Sequence, residues 1–149
     1  MRRTNRGFTL IEIVFVVLIG GILISFSLAS LRNVTARFSA RSARDTFLTL
    51  HARARVRAVE RGVPAILFMD FANDSASVTQ GSTLIETIHF RSEFNVDFMG
   101  PSGALTLCMG ARGIADRACT DFSTRQTIQF QFNDEVVGVR MLPLGQVLY

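Results

Sequence analysis

A chain of 149 residues suits one domain plus an appendage, and the roughly ninety residues left after an anchoring segment can build only a small single core. Its sixteen cations are all Arg, a coding bias rather than a functional choice, and they outnumber the acids to give a net charge of +4. The surplus belongs to the first sixty residues, because residues 62–149 hold five Arg against nine acids; an acidic globule is a poor general nucleic-acid binder, since phosphate neutralisation supplies most non-specific affinity.

The chain opens with Met1-Arg2-Arg3-Thr4-Asn5-Arg6-Gly7, which holds three Arg and no acid, and no charged residue falls between Ile13 and Leu31. A helix over Phe8–Leu31 is about 36 Å long at about 1.5 Å per residue. That is enough to span a hydrocarbon layer of roughly 30 Å. The preceding Arg residues predict a cytoplasmic N-terminus, so everything after residue 31 lies across the membrane, in a bacterial periplasm. A secretory signal peptide cut after Ala29, with Ser27 also small, is the competing reading. The length of the apolar stretch and the carboxylate near its start count against it. Gly20-Gly21 and the Ser25/Ser27 pair supply bending, or close helix packing in a bilayer.

Glu12 is the informative residue. An ionised side chain deep in lipid costs about 2.5–3.5 kcal/mol on insertion scales, and such residues usually have a partner and a role. Phe8 and Thr9, one turn away, offer no cation. A cut between Gly7 and Phe8 creates one, as the new amine of Phe8. The alternative is a carboxylate near the headgroups with no role.

Arg6-Gly7-Phe8-Thr9-Leu10-Ile11-Glu12, with an apolar span directly behind it, resembles the processing site of type IV prepilins and of the pseudopilins of type II secretion. The resemblance implies a leader, residues 1–7, removed after Gly7 by a prepilin peptidase that also methylates Phe8. It implies that Glu12 pairs with the N-terminal amine of an adjacent subunit during assembly. Many major pilins have a Pro near the middle of this helix; this chain has Ala29 there and no Pro before Pro64.

Residues 32–61 contain no Pro or Gly and predict a periplasmic continuation of the helix. Leu48, Ala52, Val56, Val59 and Val63 recur at helical period, and this stripe is expected to lie on a sheet. Arg53, Arg57 and Arg61 form a neighbouring row, either a docking or DNA-binding face or a solvated one. Gly62-Val63-Pro64 ends the helix.

From residue 62 to 149 the period changes to that of a β-rich globular domain. Strands are expected at 65–71, 84–90, 94–98, 104–109, around Ile128, Phe130 and Phe132, at 136–142 and at 146–149. Turns fall at Ala72-Asn73-Asp74-Ser75, Gly100-Pro101-Ser102-Gly103, Asn133-Asp134-Glu135 and Pro143-Leu144-Gly145. The fold class is therefore α+β: a long N-terminal helix packed on an antiparallel sheet or small sandwich. Arg61-Gly62-Val63-Pro64 before an apolar strand, and Leu142-Pro143-Leu144-Gly145-Gln146-Val147 near the end, resemble the GspH/FimT branch, which implies a minor component near the tip of a pseudopilus or pilus.

No catalytic constellation stands out. His51 and His89 have no Cys or second His nearby in sequence, and Gly110-Ala111-Arg112-Gly113 lacks the full pattern of a phosphate loop. Cys108 and Cys119 do not form a CxxC, which argues against zinc; in an exported domain they pair as one disulfide, and in a cytosolic one they stay as thiols. Asp70, Asp74, Asp116 and Asp121 have the chemistry for calcium, and equally that of solvated turns. The expectation is a non-enzymatic minor pseudopilin in the inner membrane, without metal, cofactor or small-molecule substrate, whose partners are other pilin-like subunits and the peptidase. A minor type IV pilin, a DNA receptor using Arg112, Arg117 and Arg125, and a soluble exported protein are the alternatives.

Overall fold

The computed structural model describes residues 9–148, and within α1 it describes the side chains outside residues 25–33. α1 runs over Leu10–Arg61. The chain divides into two units, residues 1–35 and residues 36–149. α1 ends at Arg61 because Gly62 follows in the left-handed region, at φ 65°, and Pro64 cannot extend the helical ladder.

In the second unit the face of α1 that meets the core is not the predicted one. Ala36, Ala40, Ala43, Phe47, Leu50, Ala54 and Ala58 are buried, at spacings of three and four. Of the expected stripe, Leu48 is half-buried, while Ala52, Val56, Val59 and Val63 are exposed. The two stripes lie on nearly opposite sides of the helix, since two residues of offset turn it by about 200° at 3.6 residues per turn. Alanine contributes little to a hydropathy pattern but lets a helix settle on side chains rising from a sheet, and here it supplies most of the buried face.

Among the described residues eight strands form two four-stranded antiparallel sheets. One has the order β3-β2-β1-β5, from β1 (Ala65–Asp70), β2 (Ser75–Gln80), β3 (Thr83–His89) and β5 (Ala104–Met109). The other has the order β4-β6-β7-β8, from β4 (Asp97–Met99), β6 (Gln126–Phe132), β7 (Glu135–Met141) and β8 (Val147–Leu148). The inward residues alternate as a half-buried strand requires: Ala65, Leu67 and Met69 on β1, and Ile128 and Phe130 on β6, are buried. Phe132, expected inside with them, is only half-buried.

Phenylalanine joins helix and sheets. Phe47 of α1 lies 5.7 Å from both Phe98 and Phe130, centroid to centroid, and Phe90 lies 4.6 Å from Phe98. Tilted aromatic pairs of this kind add about 0.5–1.5 kcal/mol each beyond the area they bury. Packing is tight at Gly100, where an added Cβ would overlap the Phe71 ring.

Two further elements differ from expectation. β2 was not foreseen, because Ser-Ala-Ser-Val-Thr-Gln offers only Ala76 and Val78 as inward apolar residues. A short helical turn, α2 (Phe90–Phe94), takes Phe90 from the strand expected over 84–90 and Phe94 from the one expected over 94–98, of which Asp97 and Phe98 do lie in a strand, β4. The Phe90 amide donates to the Asp74 carbonyl at 2.8 Å, and Asn95 adopts φ 56°, which turns the chain out of the helix. Only Val96 and Phe98 of the alternating set therefore point inward from extended backbone.

A candidate processing and assembly site

Gly7 and Phe8, the residues expected to flank the cut, lie outside the described residues. Thr9 begins the described chain and caps α1. Its carbonyl accepts from the Glu12 and Ile13 amides at 3.1 and 3.3 Å, and its Oγ1 accepts from the Glu12 amide at 3.3 Å. Thr-x-x-Glu is the first half of a capping box, in which the threonine satisfies an otherwise unpaired amide of the first turn. Sequence reading missed this role, although Thr9 followed three residues later by Glu12 signals it. The carboxylate of Glu12 in the first turn also lies at the positive end of the helix dipole. Glu12 thus has a local reason to stand there, beside the assembly role expected of it.

Behind Glu12 the helix is apolar on every side. From Leu10 to Ile24 the large apolar side chains are exposed, Leu10 at 82 % and Phe15 at 60 %. Gly20 and Gly21 have open space where a Cβ would stand. A helix apolar all round is one that something apolar must surround. Among the described residues no helix is long and apolar enough to cross a membrane. The expected span, residues 8–31, continues into side chains that are not described.

In the second unit the other predicted residues separate. Cys108 and Cys119 are joined in a disulfide with Cα atoms 5.8 Å apart. The loop it closes lies along β5, where the Asp116 amide donates to the Cys108 carbonyl at 2.8 Å and the Asp121 amide to the Thr106 carbonyl at 3.1 Å. The four acids weighed for calcium are not one group. Asp70 accepts from Asn73 Nδ2 at 2.7 Å and from the Ala72 and Asn73 amides, and the Asn73 bond holds its carboxyl below the usual value. Asp74 is buried rather than solvated, accepting from the Phe98 amide and from Arg91 Nε, each at 2.7 Å. Asp116 accepts from the Ala118 amide at 2.9 Å. Among the described residues no three His, Cys, Asp or Glu side chains are grouped to hold a metal.

His51 is buried under the turn at 143–145, with Nε2 3.0 Å from the Gly145 carbonyl. Burial pushes its pKa below 6.5, opposed in part by that hydrogen bond. His89 is exposed at the end of β3. Of the row on α1, Arg53 is paired with Glu86 at 2.6 Å and Arg57 stands 4.0 Å from Glu60. Arg112 and Arg117 line one shallow depression, and Arg125 is not part of it.

The comparisons with known proteins fall on these same two regions. Residues 2–28 match the prokaryotic N-terminal methylation motif. The fold is similar to crystal structures of the type IV minor pilin FimU from Pseudomonas aeruginosa strain PAO1. In one crystal form the TM-score is 0.55 at 18 % identity, covering 77 % of this chain and 90 % of FimU. In another it is 0.52 at 16 % identity, covering 72 % and 90 %. No curated protein matches the sequence. In its N-terminal motif and in its α+β fold the chain is thus similar to type IV pilins.

Proposed function

We propose that this chain is a minor pilin-like subunit, cut between Gly7 and Phe8, methylated at Phe8 and held in the bacterial inner membrane by residues 8–31, with the β-rich domain in the periplasm. The observation that carries this reading is Gly7-Phe8-Thr9-Leu10-Ile11-Glu12 inside a matched methylation motif, directly before a helix whose apolar side chains are exposed all round. Prepilin peptidase is the processing partner and other pilin-like subunits are the assembly partners. Glu12 pairs with the amine of a neighbouring Phe8, and the helix end it occupies is already capped by Thr9. No reaction, metal or cofactor is assigned to the chain.

The work proposed is assembly into a type II secretion pseudopilus that drives protein export. A second reading, a minor subunit of a type IV pilus, is favoured by the likeness of the fold to FimU. DNA uptake is the weaker variant of that reading, because the domain that carries Arg112, Arg117 and Arg125 holds five Arg against nine acids.

The test is the intact mass and N-terminal sequence of the membrane-extracted protein. A chain beginning at Phe8 and heavier by one methyl group is expected. A chain beginning at Ser30 would instead mean an ordinary secreted protein. Glu12→Ala is expected to be cut normally but to enter fibres poorly beside wild-type subunits; normal incorporation would remove the assembly role from Glu12.

A further inference from the structure

β3 ends its sheet, and among the described residues no strand pairs with its outer side. The other sheet ends are short or covered. β4 and β8 have three and two residues, and the free side of β5 takes the Asp116 and Asp121 amides. A seven-residue open edge is a template for another strand unless a charge, a proline, a bulge or a cover blocks it. β3 contains no Pro; its register against β2 shifts once, opposite Val78/Thr79, which leaves Ile85 as the extra residue and Glu86–His89 in regular pairing beyond it; and the charge at its middle, Glu86, is neutralised by Arg53 at 2.6 Å. Gln80 and Thr83 face each other across the two-residue turn Gly81-Ser82. In such a hairpin the closing pair exchanges both of its bonds, so the next residue, Leu84, turns its N–H and C=O outward. The Leu84 side chain is 59 % exposed.

Beside this edge runs the outward face of α1. Two depressions of about 490 and 630 Å³ lie between helix and strand and share Arg57 and Ile85, so they form one groove. Its floor carries Val56 and Ile85, and its wall carries Arg53, Arg57 and Arg61. Arg53 is taken by Glu86, Arg57 faces Glu60 only at 4.0 Å, and among the described residues Arg61 makes no ion pair. Three Arg against Glu60 and Glu86 leave the groove a surplus of one positive charge, centred on Arg61.

We propose that the groove between β3 and the Arg53–Arg61 face of α1 binds an extended acidic strand of another protein, added to the open edge of β3. Main-chain hydrogen bonds to β3 supply affinity, and alternate side chains supply selectivity: acidic ones meet Arg57 and Arg61, and apolar ones rest on Val56 and Ile85. A second copy paired antiparallel through β3 would set two rows of Arg across one groove, and like charges so placed oppose pairing. The surface does not rest on the anchoring or processing of the N-terminal segment.

The test uses the full chain in a non-ionic detergent and a labelled peptide of about ten residues alternating valine and glutamate, with a valine–lysine peptide as control. The acidic peptide is expected to bind and to slow amide exchange at Leu84–Thr87. Leu84→Pro is expected to abolish binding by removing an outward N–H. Because that variant could also disturb β3, the exposed Arg57→Glu and Arg61→Glu changes serve as the second arm, each weakening binding by about tenfold at low salt. No binding, equal binding of both peptides, protection elsewhere, or unchanged affinity in both Arg variants would overturn the proposal. So would concentration-dependent protection of β3 without peptide, which would make the occupant a second copy.

Discussion

Residues 10–24 and residues 36–61 belong to one helix and solve opposite problems. In the first stretch Phe15, Val17 and Leu18 are all exposed, and in the second Ala40, Ala43, Ala54 and Ala58 are sealed from solvent. The more hydrophobic stretch is the less buried one. Burial follows the surface available to receive a side chain, and only residues 36–61 have a sheet to lie on. The first stretch is apolar in every direction, which suits lipid or neighbouring helices. The second is apolar where it must be, and its outward side carries Arg53, Arg57 and Arg61.

The sharpest way to break this comparison is to truncate one phenylalanine in each stretch. Phe47→Ala is expected to lower the stability of the β-rich domain by about 3–5 kcal/mol, because a buried ring leaves a cavity. Phe15→Ala is expected to leave it unchanged. Urea unfolding of the full chain in detergent checks both, and equal effects would erase the contrast. Next in size is the disulfide. Breaking the Cys108–Cys119 link, with reductant or by Cys119→Ser, is expected to cost about 2.5–3 kcal/mol on the chain-entropy estimate. The shift should appear as a lower Tm of the domain, while helical content from residues 10–24 stays the same.

His51 gives a smaller, pH-dependent difference. Its pKa is depressed in the folded chain, so the unfolded chain takes up the proton first as pH falls. Stability is therefore full above about pH 6.5 and is lost progressively as pH drops from there toward the folded pKa. His51→Gln is expected to flatten that part of the profile, and an unchanged slope in urea titrations from pH 7.5 to 5 would contradict it. The smallest effect is the most pointed. Val56→Ser, in the stripe that sequence periodicity favoured, is expected to change stability by no more than about 0.5 kcal/mol, as exposed substitutions usually do. A loss of several kcal/mol would restore the Leu48–Val63 stripe as the core face.

That stripe shows where the sequence was legible and where it was not. The end of α1 could be read from Gly62 and Pro64, whose backbone chemistry permits little else, β1 from an apolar run, and β5 from one broken only by Thr106. The buried face of α1 could not, because alanine is nearly silent in a hydropathy pattern while valine is loud. β2 was hidden by its Ser and Thr. α2 was hidden because tertiary bonds hold it: Phe90 to the Asp74 carbonyl, and Arg91 to the Asp74 carboxylate. At the N-terminus Glu12 stood out by its cost in lipid, yet the capping role of Thr9, a local and well-marked signal, went unread. The open edge of β3 had no signature at all, since an edge exists only once the strand order is known.

The alanine stripe also has a mechanical consequence. A pull along the axis of α1 loads its contact with the sheets in shear, and alanines offer little to catch on a neighbouring surface. The grip then falls on one stretch of the helix: Phe47 against Phe98 and Phe130, buried Leu50, and His51 bonded to the Gly145 carbonyl. For the helix to slip by one turn, about 5.4 Å, all three must leave their places. Residues 47–51 thus work as a detent, fixing the helix lengthwise where the alanines on either side would let it slide.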